Sequence, residues 1–392
     1  MSSNYTENIK SIVIIVTLSC LFRIFIACFG YSGYQTPPKF GDFEAQRHWL
    51  EITTNLNISD WYRQTKSNDL QYWGLDYPPL TAYHSWIMGQ FAWIVYPDIV
   101  TLYTSRGHET LLGKVFMRST VIISDLILYI PASLLLLRLI RQQYTHSNNT
   151  NKTSTYTNYQ SILYTFICIN TPGLLLIDHG HFQYNSISIG LTLLSVYTLI
   201  LGYDIYGSIL FTLALNYKQM TLYYSPIFFV YLLRKCWIQN TNTVRIMTFI
   251  KIGFSVIITF VILWLPFCIY KHVPEQTYIS VIYTILLRIF PFARGIFEDK
   301  VANIWYALSV AYDYRQIHNI SSILPTYSLL LTIILIVPVC SMLCYYPCRN
   351  RVVLLLALSN CSLAFFLASF QVRLIVIHDD LTPAYYLLCV GA

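Results

Sequence analysis

The sequence predicts an all-α polytopic membrane protein. Three observations carry that prediction. Hydrophobic residues fill 55% of the 392 positions, charged residues fill only 11%, and the mean hydropathy is +0.51. Soluble domains carry about 25% charged residues, so a water-soluble globule, a disordered chain and a conventional coiled coil are all excluded.

A hydrocarbon core of about 30 Å takes roughly 20 apolar residues in helical form. Runs of that kind fall at residues 11–29, 116–137, 161–177, 186–203, 252–270, 323–346 and 352–372. Shorter runs at 80–96, 205–217, 220–233 and 278–292 bring the expected number of spans to about ten. The first run is interrupted by Arg23 and no small-residue cleavage site follows it, so it reads as a permanent anchor. Residues 30–79 form the longest stretch outside these runs and are rich in Tyr, Trp, Asp, Asn and Gln. Connections of that length are functional or disordered, and the aromatic content predicts a folded extramembrane loop beside an aqueous site. Residues 1–392 are read as one membrane-embedded domain: anchor 11–29, loop 30–79, the other spans within 80–372, and a tail at 373–392.

The 25 Lys and Arg against 18 Asp and Glu give a net charge of +7. With so little polar surface this is the flanking charge of membrane spans, not a face for nucleic acid. Arg138, Arg141 and Lys152 mark one cytosolic candidate loop, and Arg234, Lys235 and Arg245 mark another. Glycosylation sequons at Asn148 and Asn151 oppose the first assignment, and a further sequon, Asn57-Ile58-Ser59, lies in the large loop. The 10 Cys show no zinc-ligand spacing and read as small buried hydrophobes.

Five segments carry chemistry. In residues 39–49, Asp42 precedes a short helix expected over 43–56, lying on the membrane surface with Phe43, Leu50 and Leu56 as anchors. Asp42 reads either as the N-cap of that helix or as a carboxylate able to accept a proton. Glu44, Arg47 and His48 follow as a polar cluster or as interfacial charges. In residues 70–79, Gly74 permits a sharp turn, and Pro78 and Pro79 hold Asp76 in extended backbone. Tyr72, Trp73 and Tyr77 are an interfacial aromatic belt or a platform for stacking sugar rings. Residues 178–185 place Asp178, His181 and Gln183 at a span boundary, where titratable groups often mark a site. Their spacing is not the i, i+4 pattern of a zinc helix, so no metal is expected, and a hydrogen-bonding wall for a polar ligand is the better reading. Lys218 interrupts an apolar run, predicting a broken or re-entrant helix, and either snorkels or meets a phosphate. Arg294, in an amphipathic stretch, serves a phosphate equally well. P-loop, GxGxxG, GxSxG and HExxH signatures are missing from the sequence.

Residues 41–49 (Gly-Asp-Phe-Glu-Ala-Gln-Arg-His-Trp) and 72–85 (Tyr-Trp-Gly-Leu-Asp-Tyr-Pro-Pro-Leu-Thr-Ala-Tyr-His-Ser) resemble a family of endoplasmic-reticulum glucosyltransferases. The resemblance continues through 178–185, 216–220 and 295–305 and covers about residues 23–372. It is closest to the branch that uses dolichyl phosphate glucose to add the first, α-1,3-linked glucose to lipid-linked Man9GlcNAc2. The sister branch that adds the second glucose shares Leu-Asp-Tyr-Pro-Pro but not the longer first motif.

This resemblance implies a GT-C helical bundle, multi-pass in the endoplasmic-reticulum membrane, with its active site facing the lumen. It assigns the acidic residue after the first span, here Asp42, as catalytic base. The implied partners are dolichyl phosphate glucose, the Man9GlcNAc2-PP-dolichol acceptor and the membrane lipids, with no cofactor and no essential metal. The chemistry is then a single displacement with inversion, the leaving phosphate needing positive charge, for which Lys218 and Arg294 are candidates.

The sequence departs from the family near its end. Family members follow Phe-Gln-Val with His-Glu-Lys-Ser, whose histidine serves the donor phosphate. Here Phe370-Gln371-Val372 runs into Arg373-Leu374-Ile375, and further family spans are missing, so the chain reads as C-terminally truncated or divergent. Arg373 supplies charge there without a histidine's proton chemistry. Two alternatives follow: a catalytically inactive homologue, and a membrane transporter or lipid-handling protein, which broken helices fit but missing inverted repeats do not.

Overall fold

The computed structural model describes residues 2–147, 155–270, 277–290, 303–311, 320–345 and 351–368, and among these every regular element is helical. α1 (Ser2–Ala27) is the first anchor, with Leu18, Leu21 and Phe25 exposed on the side left to lipid. The large loop is folded, as expected, and contains α2 (Gly41–Asn55). α3 (Pro79–Val95) starts on a proline, whose missing N–H would have had no helical partner. α4 (Leu111–Ser124) is capped by the Thr110 hydroxyl, which accepts the Gly113 N–H at 3.1 Å. It passes through a wide π turn at Asp125–Tyr129 into α5 (Ile130–Ser147). α6 (Thr155–Ile169) is followed by the short α7 (Pro172–Leu174), which widens into a second π turn, Leu175–Phe182.

α8 (Asn185–Ile200) and α9 (Asp204–Tyr217) form a hairpin, and after a 3-10 turn at Gln219–Tyr224 α10 (Ser225–Trp237) runs back. The helix thus breaks at Lys218, as expected, and the chain reverses there. Lys235, near the end of α10, donates to the Leu199 carbonyl at 2.6 Å and to Asp204 at 2.5 Å, fixing that end of α10 beside the α8–α9 turn. α11 (Asn242–Ile269), α12 (Tyr278–Ile289), α13 (Ile304–Ala311), α14 (Ile320–Tyr345) and α15 (Arg351–Ala368) complete the described elements.

Among the described residues, five helical stretches are long and apolar enough to span a membrane: Lys10–Ala27, Leu111–Gln142, Ile162–Phe182, Asn242–Ile269 and Ile323–Tyr345. Asn185–Ile200, Tyr278–Ile289 and Val352–Ala368 are shorter apolar helices. The described residues thus hold a mixture of long and short apolar helices, beside the expectation of about ten spans. α11, with 28 residues, rises about 42 Å, whereas the 14 residues of α9 rise about 21 Å and stop short of a full crossing. Following the helices in turn, the starts of α2, α4, α8 and α10 and the ends of α1, α9 and α11 share one face of the bundle. Arg138, Arg141, Arg234, Lys235 and Arg245 gather at the other.

Mid-bundle, Arg23 is fully buried. Its Nε lies 2.6 Å from Asp125, and its other nitrogens donate to the Asn170 side chain at 2.9 Å and to the carbonyls of Ile169 and Ser19. Asp125 also faces His179 at 3.0 Å. The network joins α1, the first π turn, the end of α6 and the second π turn. A lone guanidinium could not remain in an apolar bundle without such partners. Ile15, Leu136, Leu193, Phe228 and Leu358 form the main apolar core. Two smaller cores sit under the loop face, one around Phe43, Leu50, Met117 and Phe182, the other around Trp49, Trp61, Leu75 and Phe267.

Candidate active site

Backbone geometry sets the start of α2. Gly33 and Gly41 both have positive φ, 76° and 67°, and a Cβ on Gly33 would lie 1.9 Å from the Phe40 carbonyl oxygen. Only glycine allows that contact. Phe40, with φ 57°, is the N-cap residue and offers no side-chain cap. Asp42 is the second residue of the helix, so its expected role as N-cap is corrected: its carboxylate points away to another segment. Its backbone N–H donates to the Ser32 hydroxyl at 3.3 Å, and the Ser32 N–H donates to the His181 carbonyl at 3.0 Å.

That other segment is the end of the second π turn. Phe182 has φ 93°, a left-handed conformation that a bulky residue adopts only under constraint. The constraint is packing: Phe182 is buried against Phe43 and Tyr184, at centroid distances of 4.8 and 5.5 Å. The kink turns both of its neighbours toward α2. His181 Nε2 lies 2.9 Å from Asp42 Oδ2, and Gln183 Nε2 donates to the same oxygen at 3.0 Å.

Behind Gln183, Lys218 Nζ donates to Gln183 Oε1 at 3.1 Å and also to Asn185 Oδ1. The Asn185 amide donates to Gln183 Oε1 at 3.1 Å and to Asp178 Oδ1 at 2.9 Å. Asp178 accepts the Asn185 and Ser186 backbone N–H groups at 3.0 and 2.8 Å, closing the N-terminus of α8. Asp178, Gln183, Asn185 and Lys218 are all buried, whereas the side chains of Asp42 and His181 keep 22% and 45% of their surface. Burial works to raise the Asp42 carboxyl. The hydrogen bond and charge of His181, the Gln183 amide and the Lys218 ammonium outweigh it and hold the group below its ordinary value.

The remaining candidates on α2 form a second cluster, and α2 is not the surface helix expected: Phe43 to Thr53 are buried. Arg47 is completely enclosed and engages all five of its N–H donors. Nε and one Nη2 donor take Glu44 at 2.7 and 2.6 Å, the other Nη2 donor takes Glu51 at 2.7 Å, and Nη1 takes the Ile99 carbonyl at 2.9 Å and Ser105 at 2.5 Å. His48 Nδ1 lies 2.9 Å from Glu51, and the Tyr72 hydroxyl donates to Glu44 at 2.8 Å. Burial works to raise Glu51, but His48 and Arg47 hold it down at about 2. The cluster clamps the 97–107 loop to α2; its members sit beside Asp42 without touching it.

In residues 70–79 the left-handed position is Trp73, with φ 49°, not Gly74. Gly74 is needed for space, since a Cβ there would lie 2.8 Å from Arg288 Nη2. Arg288 gathers the Leu70, Gly74 and Leu75 carbonyls at 2.8–3.2 Å. Trp73 receives the Trp49 indole N–H on its carbonyl at 2.9 Å and donates its own to the Lys39 carbonyl at 2.5 Å. Asp76 is half-buried and precedes Tyr77, whose ring lies 5.4 Å from Lys218 Nζ. Arg294, the sequons at Asn148 and Asn151, and the tail beyond residue 368 lie outside the described residues. Among the described residues, no group of three or more His, Cys, Asp and Glu is placed to hold a metal.

The structure thus brings Asp42, His181, Gln183, Asp178 and Lys218 into one array, and Glu44, Arg47, His48 and Tyr72 into another. Gly33, Glu51, Phe182, Asn185 and Arg288 are the additions that sequence reasoning missed. Asn185 had a signal, as the last polar residue before an apolar run; a positive φ at Phe182 had none.

Comparison with known proteins gives consistent findings. The sequence model of the ALG6, ALG8 glycosyltransferase family matches residues 14–375. The Gallus gallus protein named dolichyl pyrophosphate Man9GlcNAc2 alpha-1,3-glucosyltransferase is 43% identical over 368 residues, 94% of this chain and 68% of that protein. The Rattus norvegicus protein of the same name is 42% identical over 365 residues, 92% of this chain and 66% of that protein. A Dictyostelium discoideum protein, "Probable dolichyl pyrophosphate Man9GlcNAc2 alpha-1,3-glucosyltransferase", is 42% identical over 370 residues, 93% of this chain and 67% of its own length. The chain spans about two thirds of the length of these relatives.

Proposed function

The chain belongs to the ALG6, ALG8 glycosyltransferase family, and on that premise we propose that it transfers glucose from dolichyl phosphate glucose to Man9GlcNAc2-PP-dolichol in α-1,3 linkage. The fold is a helical membrane bundle of the GT-C type, and the reaction is an inverting single displacement.

The observation that carries the reading is the state of Asp42, a carboxylate kept ionised by His181 and Gln183 and still open on one side. Asp42 takes the proton from an acceptor mannose hydroxyl as that oxygen bonds to the glucose anomeric carbon. The anomeric carbon–oxygen bond to phosphate breaks, its electron pair leaves with dolichyl phosphate, and Asp42 later returns its proton to water. Base assistance of this kind is worth about 10²–10⁴-fold. The departing phosphate needs positive charge rather than an acid, so a second catalytic carboxyl is unnecessary. The buried Lys218 supports it through space, and Arg294 remains a candidate. In this reading no metal is needed, and a chelator leaves the rate unchanged.

The charge distribution supports a luminal site at the endoplasmic reticulum. Arg138, Arg141, Arg234, Lys235 and Arg245 lie at the end of the bundle opposite Asp42, and basic residues favour the cytosolic side. The test is transfer of labelled glucose to the lipid-linked acceptor by the protein in lipid vesicles. Asp42→Asn is expected to lose about 10²–10⁴-fold in turnover; near-normal turnover removes Asp42 from the role, and no transfer by the unaltered chain removes the reading.

A further inference from the structure

We infer that Lys218 is a positioning residue that acts on the proposed base through the Gln183 amide, rather than a direct ligand of the donor phosphate. The inference rests on Asp42 being the base, and it concerns how that base is kept in order.

Lysine carries three donors and no acceptor. Lys218 Nζ lies against Gln183 Oε1 and against Asn185 Oδ1. An ammonium tolerates only the oxygen end of each amide, so it decides which way both side chains face. With Oε1 turned to Lys218 and to the Asn185 amide, Gln183 has its Nε2 donor left for the opposite side, where it meets Asp42 Oδ2 at 3.0 Å. A flipped Gln183 would set an oxygen against the carboxylate and an N–H against the ammonium, two repulsions in a buried site. Asp178 anchors the array at the start of α8 through the Asn185 amide and backbone. The face of the Tyr77 ring lies 5.4 Å from the ammonium. Lys218 is 3% exposed, which places it behind Gln183 and away from the open side of Asp42.

Among the described residues, further charged and titratable groups stand on the elements packed around Asp42. His181 reaches it from the π turn, and Glu44 and Arg47 on its own helix are paired with each other. α3 presents Tyr83 and His84, which bond to Leu263 and Tyr217. On the preceding loop, Tyr31 donates to Glu109 and Lys39 is exposed.

The test is an infrared pH titration of the full chain in lipid nanodiscs, the Asp42 carboxyl band being identified by its loss in Asp42→Asn. Lys218→Met and, separately, Gln183→Met are each expected to raise the Asp42 midpoint by about one pH unit. In the Gln183→Met background, adding Lys218→Met is expected to shift it by clearly less than in the unaltered chain, leaving only the part due to the ammonium's charge. Gln183→Met leaves Lys218 bonded to Asn185, so it reports even if Lys218→Met fails to fold. An equal shift from Lys218→Met in both backgrounds would mean that the ammonium acts by its charge alone, and would overturn the relay. So would an unmoved midpoint combined with a raised KM for dolichyl phosphate glucose. The titration needs no turnover, so failure of glucose transfer and failure of this inference are read separately.

Discussion

His181 Nε2 lies 2.9 Å from Asp42 Oδ2 across 139 positions of sequence. The two side chains come from different folding devices. One is a helix start set by two glycines with positive φ, the other a π turn ended by a left-handed phenylalanine. Their meeting defines the site, and each device can be tested alone.

Gly33→Ala addresses the first. The added Cβ meets the Phe40 carbonyl at 1.9 Å on a backbone that already disfavours alanine. We expect at least a 10-fold loss of transfer, on the basis that about 1.4 kcal/mol of misplacement has that effect, with the protein still folded. Activity together with circular dichroism checks it.

Arg47→Ala addresses the clamp beside the site. It leaves Glu44 and Glu51 buried without their cation, and breaking such a pair costs about 3–5 kcal/mol. Arg47→Lys is expected to recover only part of this, because three donors cannot replace five in the same directions. Thermal unfolding in detergent, compared across the three proteins, gives the order.

Acid stability follows from Glu51, ordinarily at 4.5 and held at about 2. A carboxyl whose folded value is depressed contributes stability that is present above the ordinary value and is lost as pH falls through the folded one. The contribution is on the order of 3 kcal/mol, so unfolding midpoints should fall between pH 4.5 and pH 2. Glu51→Gln should be less stable at neutral pH and flatter across that window; a parallel slope in both proteins would contradict the assignment.

Orientation is tested at Asn57, which is exposed at the head of a short 3-10 turn on the same face as Asp42. If that face is luminal, Asn57 is glycosylated in eukaryotic cells, and Asn57→Gln reduces the mobility shift seen on endoglycosidase treatment by one glycan. An unglycosylated Asn57, with modification only at Asn148 or Asn151, would reverse the bundle.

The helices were legible because their apolar runs are long and their ends are marked by polar residues. Asp42, His181, Gln183 and Lys218 were each visible as polar residues at the margin of such runs, but their convergence depends on backbone conformations that residue types do not announce. α2 misled for a physical reason. Glu44, Arg47, His48 and Glu51 look like a solvated helix face, yet they are turned inward because the Ile99 carbonyl, Ser105 and the Tyr103 N–H supply the missing partners. Arg288 drew no reading from the sequence; its three carbonyl partners more than 200 positions away make it a brace for the 70–75 loop.

The mid-bundle pairing of Arg23 with Asp125 constrains biogenesis. The two residues are 102 positions apart, so at about 5–20 residues per second a ribosome makes the second roughly 5–20 s after the first. During that interval the nascent anchor carries an unneutralised guanidinium four residues from its end, at a cost below the ~2.5–3.5 kcal/mol of a helix centre. The burial of Arg23 is therefore completed only when the later hairpins arrive, and a mutation at Asp125 would be felt first in the assembly of the bundle around the anchor.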